Sequence, residues 1–303
     1  MTRAAVLALV LIAVGLIGGA LFVPRPARQA EVRAGYRVLQ AELNAHTRLS
    51  DGTLSPCDLV LLARQRGLDV IAVTEHNAVG AARVAEACAS LFEDAPLVLP
   101  ASEITTRELH VLAIGVRQNV DARAGVGEIV RQIQAQGGLA IVAHPTRRYH
   151  AAAERVCAEL DGVEIVHPIA YARERPIGSY ADIVAFGERP CLAGAAKIGT
   201  SDYHGGSILG LLRTYVFVES ASEEGVLAAI RAGRAVTYAP DGRAFGPPEL
   251  VRALEEQPLA PRPTDYDYRP VSSNDRMTRL AGLAGMLLLL FAAPAHATSF
   301  LLS

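Results

Sequence analysis

The chain has 303 residues, of which 51% are hydrophobic and 20% charged, with a formal net charge of −2. That balance excludes a largely disordered chain, and the lack of a basic run excludes an electrostatic surface for nucleic acid or anionic lipid. Four cysteines, Cys57, Cys88, Cys157 and Cys191, are scattered without CxxC spacing and read as small apolar residues rather than as a disulfide framework or thiolate metal site.

Ala4–Val23 is a run of twenty uncharged residues, long enough to cross a bilayer as a helix. Residues 4–23 are therefore expected to form a transmembrane helix or signal anchor, followed by a linker over 24–37. From Val38, apolar strand-like runs alternate with helical patterns. The expected strands are Val38–Ala45, Asp69–His76, Leu97–Thr105, His110–Val116, Leu139–His144, Gly162–His167, Ile198–Asp202 and Tyr215–Glu219. Ser55-Pro56-Cys57-Asp58 supplies an N-cap and a proline at the first helical position, and Gly67 ends that helix. Val79–Phe92, Val126–Gln136 and Glu223–Ala232 read as further helices. Such alternation predicts an α/β domain with a parallel sheet, and the near-continuous apolar strands predict a sheet covered on both faces.

Residues 237–276 are rich in Pro, Arg, Asp and Tyr and are expected to be a tether with one short helix at Pro248–Glu255. Residues 280–302 form a second hydrophobic segment, a candidate second membrane helix, although its core Leu280–Ala293 is shorter than a standard span. Arg25, Arg28, Arg33 and Arg37 follow the first apolar segment, and Arg276 and Arg279 precede the second. This bias favours a membrane protein with its central domain on the cytoplasmic side. The lipid bilayer is accordingly an expected partner.

Of the eight histidines, His46, His76, His144, His167 and His204 stand at the C-terminal ends of expected strands, and Glu103, Glu164 and Asp202 occupy equivalent places. A lone strand-end histidine is ordinarily a satisfied loop or core residue, and Asp51-Gly52 by itself is a turn. Recurrence at strand after strand changes the reading. In a barrel of parallel strands these ends converge on one face, where active sites are built. Clustered imidazoles and carboxylates suit divalent metals, and paired ions suit phosphoryl hydrolysis.

The segments ELNAHTRLSDGTLSP, GLDVIAVTEHN, ASEITT, HVLAIG, AIVAHP, GVEIVHP and GTSDYH, taken in order, resemble the successive motifs of the PHP (polymerase and histidinol phosphatase) metallophosphoesterases. The resemblance runs from about Leu39 to Val236. It implies a distorted (β/α)7 TIM-like barrel over residues 38–236, flanked by the hydrophobic terminal segments, with two or three divalent ions (Mn, Zn or Fe) at the strand ends. Position by position it implies His46, Asp51, His76, Glu103, His110, His144, Asp202 and His204 as metal ligands, with Glu103 the bridging carboxylate. Two positions depart from the pattern. The opening His-x-His is here Asn44-Ala45-His46, and an amide oxygen is a poorer ligand than imidazole. An Asp-His pair is here Glu75-His76.

The implied activity is hydrolysis of a small phosphorylated substrate by a metal-activated water. Glu103, His144, Asp202 and His167 are the expected catalytic residues, His167 as a phosphate ligand or acid. Arg147 and Arg148 are expected to bind phosphate, and Lys197 is a further candidate cation. No aromatic, basic groove for single-stranded nucleic acid is present. The alternative is a pseudoenzyme that uses the barrel as a membrane-tethered binding module, for which Asn44 is the support.

Overall fold

The computed structural model describes residues 3–22, 30–92, 94–171, 179–205, 208–259 and 273–292. The chain divides into a terminal unit, 1–25 with 265–303, and a central unit, 26–264. The first helix, α1 (Arg3–Phe22), belongs to the terminal unit.

The central unit opens with β1 (Glu31–Arg33) and β2 (Tyr36–Ala45). They form an antiparallel hairpin across Ala34-Gly35, both at positive φ (49° and 80°), the backbone a two-residue hairpin turn requires. Next come α2 (Pro56–Gln65), β3 (Val70–Val73), α3 (Gly80–Ala89), β4 (Leu97–Thr105), β5 (His110–Ile114), α4 (Val126–Ala135) and β6 (Leu139–Val142). Then follow α5 (His150–Glu154), β7 (Gly162–Val166), α6 (Tyr180–Gly187), β8 (Ala196–Gly199), β9 (Thr214–Val218) and α7 (Glu223–Arg231). β10 (Ala235–Tyr238), β11 (Ala244–Phe245) and α8 (Pro248–Glu256) complete it. As its sequence required, Ser55 caps α2, its side chain accepting from the Asp58 N–H at 3.1 Å, a contact that stabilises by about 1 kcal/mol.

The sheet runs β11-β10-β9-β2-β3-β4-β5-β6-β7-β8, with β1 added on β2. It is mixed rather than parallel throughout. β2–β3–β4 and β6–β7–β8 are parallel, whereas β5 lies antiparallel to both β4 and β6, and β9 antiparallel to β2. Only residues 106–109 separate β4 from β5, too few for a crossover, so those strands form a hairpin. This turns His110, at the start of β5, toward the same end as the C-terminal ends of β2, β3 and β4. The sheet nearly closes on itself. Gly199 of β8 donates its N–H to Thr214 Oγ1 of β9 at 2.9 Å, and that hydroxyl donates to the Gly199 carbonyl at 2.8 Å. Just beyond the same end of β8, Tyr203 bridges Ala45. The expected tether over 237–276 carries α8, the one short helix expected there, but also the end of β10 and all of β11, both in the main sheet.

Leu39, Leu43, Leu99, Leu112, Leu139 and Ile198 share one fully enclosed apolar cluster, while Leu59, Leu68, Ile71 and Ala45 pack in a second with α2 and α3. Ala41 belongs to the first cluster and Ala45 to the second, so the alternation of β2 reverses between them. The cause is a register shift between Glu42 and Ala45 in the β2–β3 pairing, which re-aims the strand end as bulges do.

The cysteine reading is corrected. Cys57 pairs with Cys88 and Cys157 with Cys191, at Cα separations of 5.4 and 5.7 Å. Their partners are 31 and 34 residues away, so local spacing carried no sign of them.

In the terminal unit, α1 packs against α9 (Ser273–Ala292). A Cβ at Gly285 would lie 2.6 Å from the Ala8 carbonyl, so glycine is what permits that approach. The expectation of membrane-spanning segments is overturned: among the described residues no helix is long and apolar enough to cross a membrane. The charged opening of α9 (Asp275, Arg276, Arg279) shortens its apolar run. The membrane location and the cytoplasmic placement of the barrel fall with it, and two disulfides are themselves uncharacteristic of a reducing compartment.

Candidate metal centre

The reversal in β2 delivers His46 to the mouth of the barrel, fully buried. Its backbone N–H donates to the Tyr203 carbonyl at 2.9 Å, and a Cβ at Gly52 would fall 2.4 Å from the His46 carbonyl, so the Asp51-Gly52 loop presses directly on it. His46 Nε2 lies 3.1 Å from Glu103 Oε2 and 3.4 Å from Asp202 Oδ1. Glu103 sits near the end of β4, paired across a bridge with His76. Its Oε1 lies 2.8 Å from His110 Nδ1 and 3.2 Å from His144 Nε2, and its Oε2 is 3.5 Å from His76 Nδ1. Asp51 stands over the other side, 3.3 Å from His76 and 3.2 Å from His204.

Three overlapping groups of close ligand atoms result: His46, Asp51, His76 and His204; Glu103, His110 and His144; and His46, Glu103 and Asp202. All eight residues expected as ligands fall into them. Glu103 and His46 each belong to two groups. A divalent ion fits this donor set on an observation of the protein itself: both ring nitrogens of the buried His46 lack a hydrogen-bond partner, and the atoms facing them are carboxylate oxygens.

The electrostatics agree. Burial alone would push the His46 imidazole down, yet the contacts with Asp202 and Glu103 raise it to about 10. His144 is raised to about 9, burial being outweighed by Glu103 and by the charges of Glu164 and Asp202. Burial would raise the Glu103 and Asp202 carboxyls, but the surrounding imidazoles hold both well below the usual carboxylate range. Asp51 is also lowered, by His204, His76 and His46 against the effect of burial. The carboxylates demand positive charge, which protons or metal ions can supply.

Two of the groups sit on strained backbone. His144 and Asp202 have φ of 28° and 43°, a region non-glycine residues seldom occupy and one associated with functional sites. Glu164, fully buried, holds the first: its Oε2 accepts from the His144 N–H and its Oε1 from the Thr200 hydroxyl. Glu42 braces the second, accepting from the Ser201 N–H at 3.1 Å, from the Ser201 hydroxyl and from the Gly210 N–H at 3.1 Å. Burial pushes its carboxyl up to about 7. Glu42, Thr200 and Thr105, whose hydroxyl lies 2.7 Å from His76 Nδ1, were missed in the sequence. A buried acid inside the apolar run of β2 was the one available sign of Glu42.

His167 lies 3.1 Å from Asp202 Oδ2 through Nε2, while its Nδ1 accepts from the Ile169 N–H at 3.2 Å, which assigns the ring proton to Nε2. Asn44 is fully buried; its amide donates to Asp202 Oδ1 at 3.2 Å and its oxygen accepts from the Thr74 hydroxyl at 2.6 Å. Glu75 accepts from the Thr47 N–H at 2.7 Å, steadying the loop after His46. Arg148 packs 4.3 Å over the Tyr149 ring, itself 5.2 Å from His110. Arg147 points elsewhere, pairing with Asp182 at 3.0 Å with its side chain 84% exposed. Lys197 opens β8, at the far end of that strand from Asp202. His150 bonds the Pro145 and Asp182 carbonyls, and His296 lies outside the described residues.

No protein-family model matches the chain. Over 156 residues, 47% of its length, it is 27% identical to an uncharacterized protein of Methanocaldococcus jannaschii, 89% of which is covered. Among solved structures it is similar to a two-domain Bacteroides vulgatus protein containing a predicted PHP-like metal-dependent phosphoesterase, with a TM-score of 0.59 and 20% identity over 77% of this chain and 74% of that one. An amidohydrolase from Chromobacterium violaceum gives a TM-score of 0.41 at 16% identity over 75% of this chain and 99% of that one, too low to carry an argument. The fold is a mixed α/β, nearly closed barrel of the PHP-like kind, and its mouth carries a His/Asp/Glu cluster able to hold metal.

Proposed function

We propose that the chain is a metal-dependent hydrolase of a small phosphoester. The observation that carries this reading is the overlap of three ligand groups through Glu103 and His46. Overlap of this kind places neighbouring ions close enough to act on one phosphoryl group. When bound, divalent ions such as Mn, Zn or Fe would acidify a water and neutralise phosphoryl oxygens. Two or three ions per chain are expected.

The side chains around the ligands have separable tasks. Glu164 and Glu42 hold the His144 and Asp202 turns in place. His167 keeps a proton at Nε2 against Asp202, from which it can hydrogen-bond a phosphoryl oxygen or protonate a departing alkoxide. Arg148, anchored over Tyr149 beside His110, is the better placed of the two expected phosphate-binding arginines. Asn44 orients Asp202 as a hydrogen-bond donor and leaves one imidazole fewer for the ions.

Hydrolysis of p-nitrophenyl phosphate by the chelator-treated protein, with and without added Mn²⁺, tests the proposal. Metal-dependent turnover that disappears in Glu103→Gln is expected. Metal binding without turnover on phosphomonoesters or phosphodiesters would refute hydrolysis and leave the binding-module alternative.

A further inference from the structure

Lys197 is the only lysine in a chain that also carries 28 arginines. It lies at the start of β8, where a half-open cavity of about 530 Å³ is lined by Ile165, Lys197, Phe245, Pro247, Glu188 and Glu249 among others. The metal centre has no share in this cavity. Lys197 Nζ donates to the Leu192 carbonyl at 2.7 Å, next to the lining residues 193–195. Arginine could have supplied a fixed charge here. A primary amine differs from guanidinium in being able to lose its proton and act as a nucleophile.

We propose that this cavity is a second small-molecule site in which Lys197 captures an uncharged, largely apolar aldehyde or ketone as an imine. The apolar lining from Ile165, Phe245 and Pro247 suits the body of such a ligand. Glu188 and Glu249 add two carboxylates to the lining against a single lysine, although Glu188 also faces Arg243 at 3.7 Å, and that balance does not favour a multiply charged anion such as a phosphate. Burial pushes the Lys197 amine down to about 8, and the charge of Glu188 only partly restores it, so neutral amine is available near neutrality. In the reaction, the Nζ lone pair attacks the carbonyl carbon and a C–N bond forms. The carbonyl oxygen then leaves as water with the two amine hydrogens, so no oxidant or reductant is consumed.

The test uses the full chain, benzaldehyde as probe and sodium cyanoborohydride to trap the imine at pH 7, followed by peptide mapping. With one lysine present, only a chain-terminal amine competes, and mapping separates the two. Benzylation of Lys197 is expected to be at least roughly tenfold faster in the native protein than in the same protein unfolded in guanidinium, since a lowered pKa multiplies the neutral fraction. Benzyl alcohol, of similar shape but without a carbonyl, should slow labelling at Lys197 and leave the terminal amine unaffected. Lys197→Arg should abolish the internal adduct. Native labelling no faster than in the unfolded chain would overturn the proposal, and so would the absence of protection by benzyl alcohol, which would mark an amine that is reactive but not part of a binding site.

Discussion

The two ends of β8 bury charge in opposite ways. At its C-terminal end Asp202 meets His46 and His167, and the imidazoles of that mouth are raised, to about 10 for His46 and about 9 for His144. At its N-terminal end Lys197 has a carbonyl and distant carboxylates, and its amine is lowered to about 8. Burial disfavours charge at both ends. The difference is the counter-charge within contact distance, which the mouth has in excess and the other end lacks. One strand thus carries an excess of counter-charge around its C-terminal end and a buried amine without close counter-charge near its N-terminal end.

The largest expected effect breaks the mouth. Asp202→Asn should lower phosphoester turnover by at least about a thousandfold and reduce bound metal, because it removes charge from a carboxylate facing two imidazoles. Circular dichroism should show the barrel still folded, and an Asp202→Asn protein with normal turnover would remove the site assignment.

The other end can be loosened separately. The Cys157–Cys191 bond joins the segments leading into β7 and β8, and replacing both cysteines with serine should cost about 4 kcal/mol by chain-entropy arguments. Guanidinium unfolding measures that loss, and elemental analysis should find metal content unchanged.

The pH dependence of the metal-free protein sharpens the contrast. His46 and His144 have folded values above their usual 6.5, so their contribution is complete below pH 6.5 and is lost as pH rises through about 9 to 10. Glu103 and Asp202 are depressed, so theirs is present above the ordinary carboxylate range near pH 4 and fades as pH falls. Lys197 runs the other way: lowered from 10.5 to about 8, it adds stability as pH climbs across that interval. The chelated protein should therefore melt lower at pH 9.5 than at pH 6.5, and Lys197→Met should steepen that fall. Added metal should protect more at the higher pH, where fewer protons compete. A flat melting profile after chelation would contradict the coupling of imidazoles to Glu103 and Asp202.

A smaller change is expected from Asn44→His, which restores an imidazole beside His46 at the loss of the hydrogen bond to Asp202. Metal retained after dialysis should rise, and the Mn²⁺ concentration for half-maximal activity should fall by about tenfold, the lower end of what partners around a metal contribute. Three tightly held ions in the natural chain, unchanged by the substitution, would mean that Asn44 costs the centre nothing. Smallest of all is Arg147→Ala. Its ion pair with Asp182 is exposed, the kind worth about 0–1 kcal/mol, and turnover should stay within about twofold.

What could be read from the sequence alone was the order of elements and the chemistry at their ends. Apolar runs bounded by Ser, Gly and Pro located the eight expected strands because burial and capping act over a few neighbouring residues, and β4 matches its expected span at both ends. The clustering of the eight candidate ligands was legible in part because imidazoles and carboxylates recur at the ends of apolar strands, and the full set followed only from the ordered motifs and their resemblance to the PHP family. Tertiary structure decided the rest. Antiparallel β5, the register shift that turns His46 inward, the two disulfides and the pairing of α1 with α9 all depend on residues distant in sequence meeting in space. So does the fate of each cation: Arg147 turned to Asp182 and Lys197 placed at the opposite end of β8, because a charged side chain goes where the folded chain provides a partner or a cavity, and neither is a property of its neighbours in sequence.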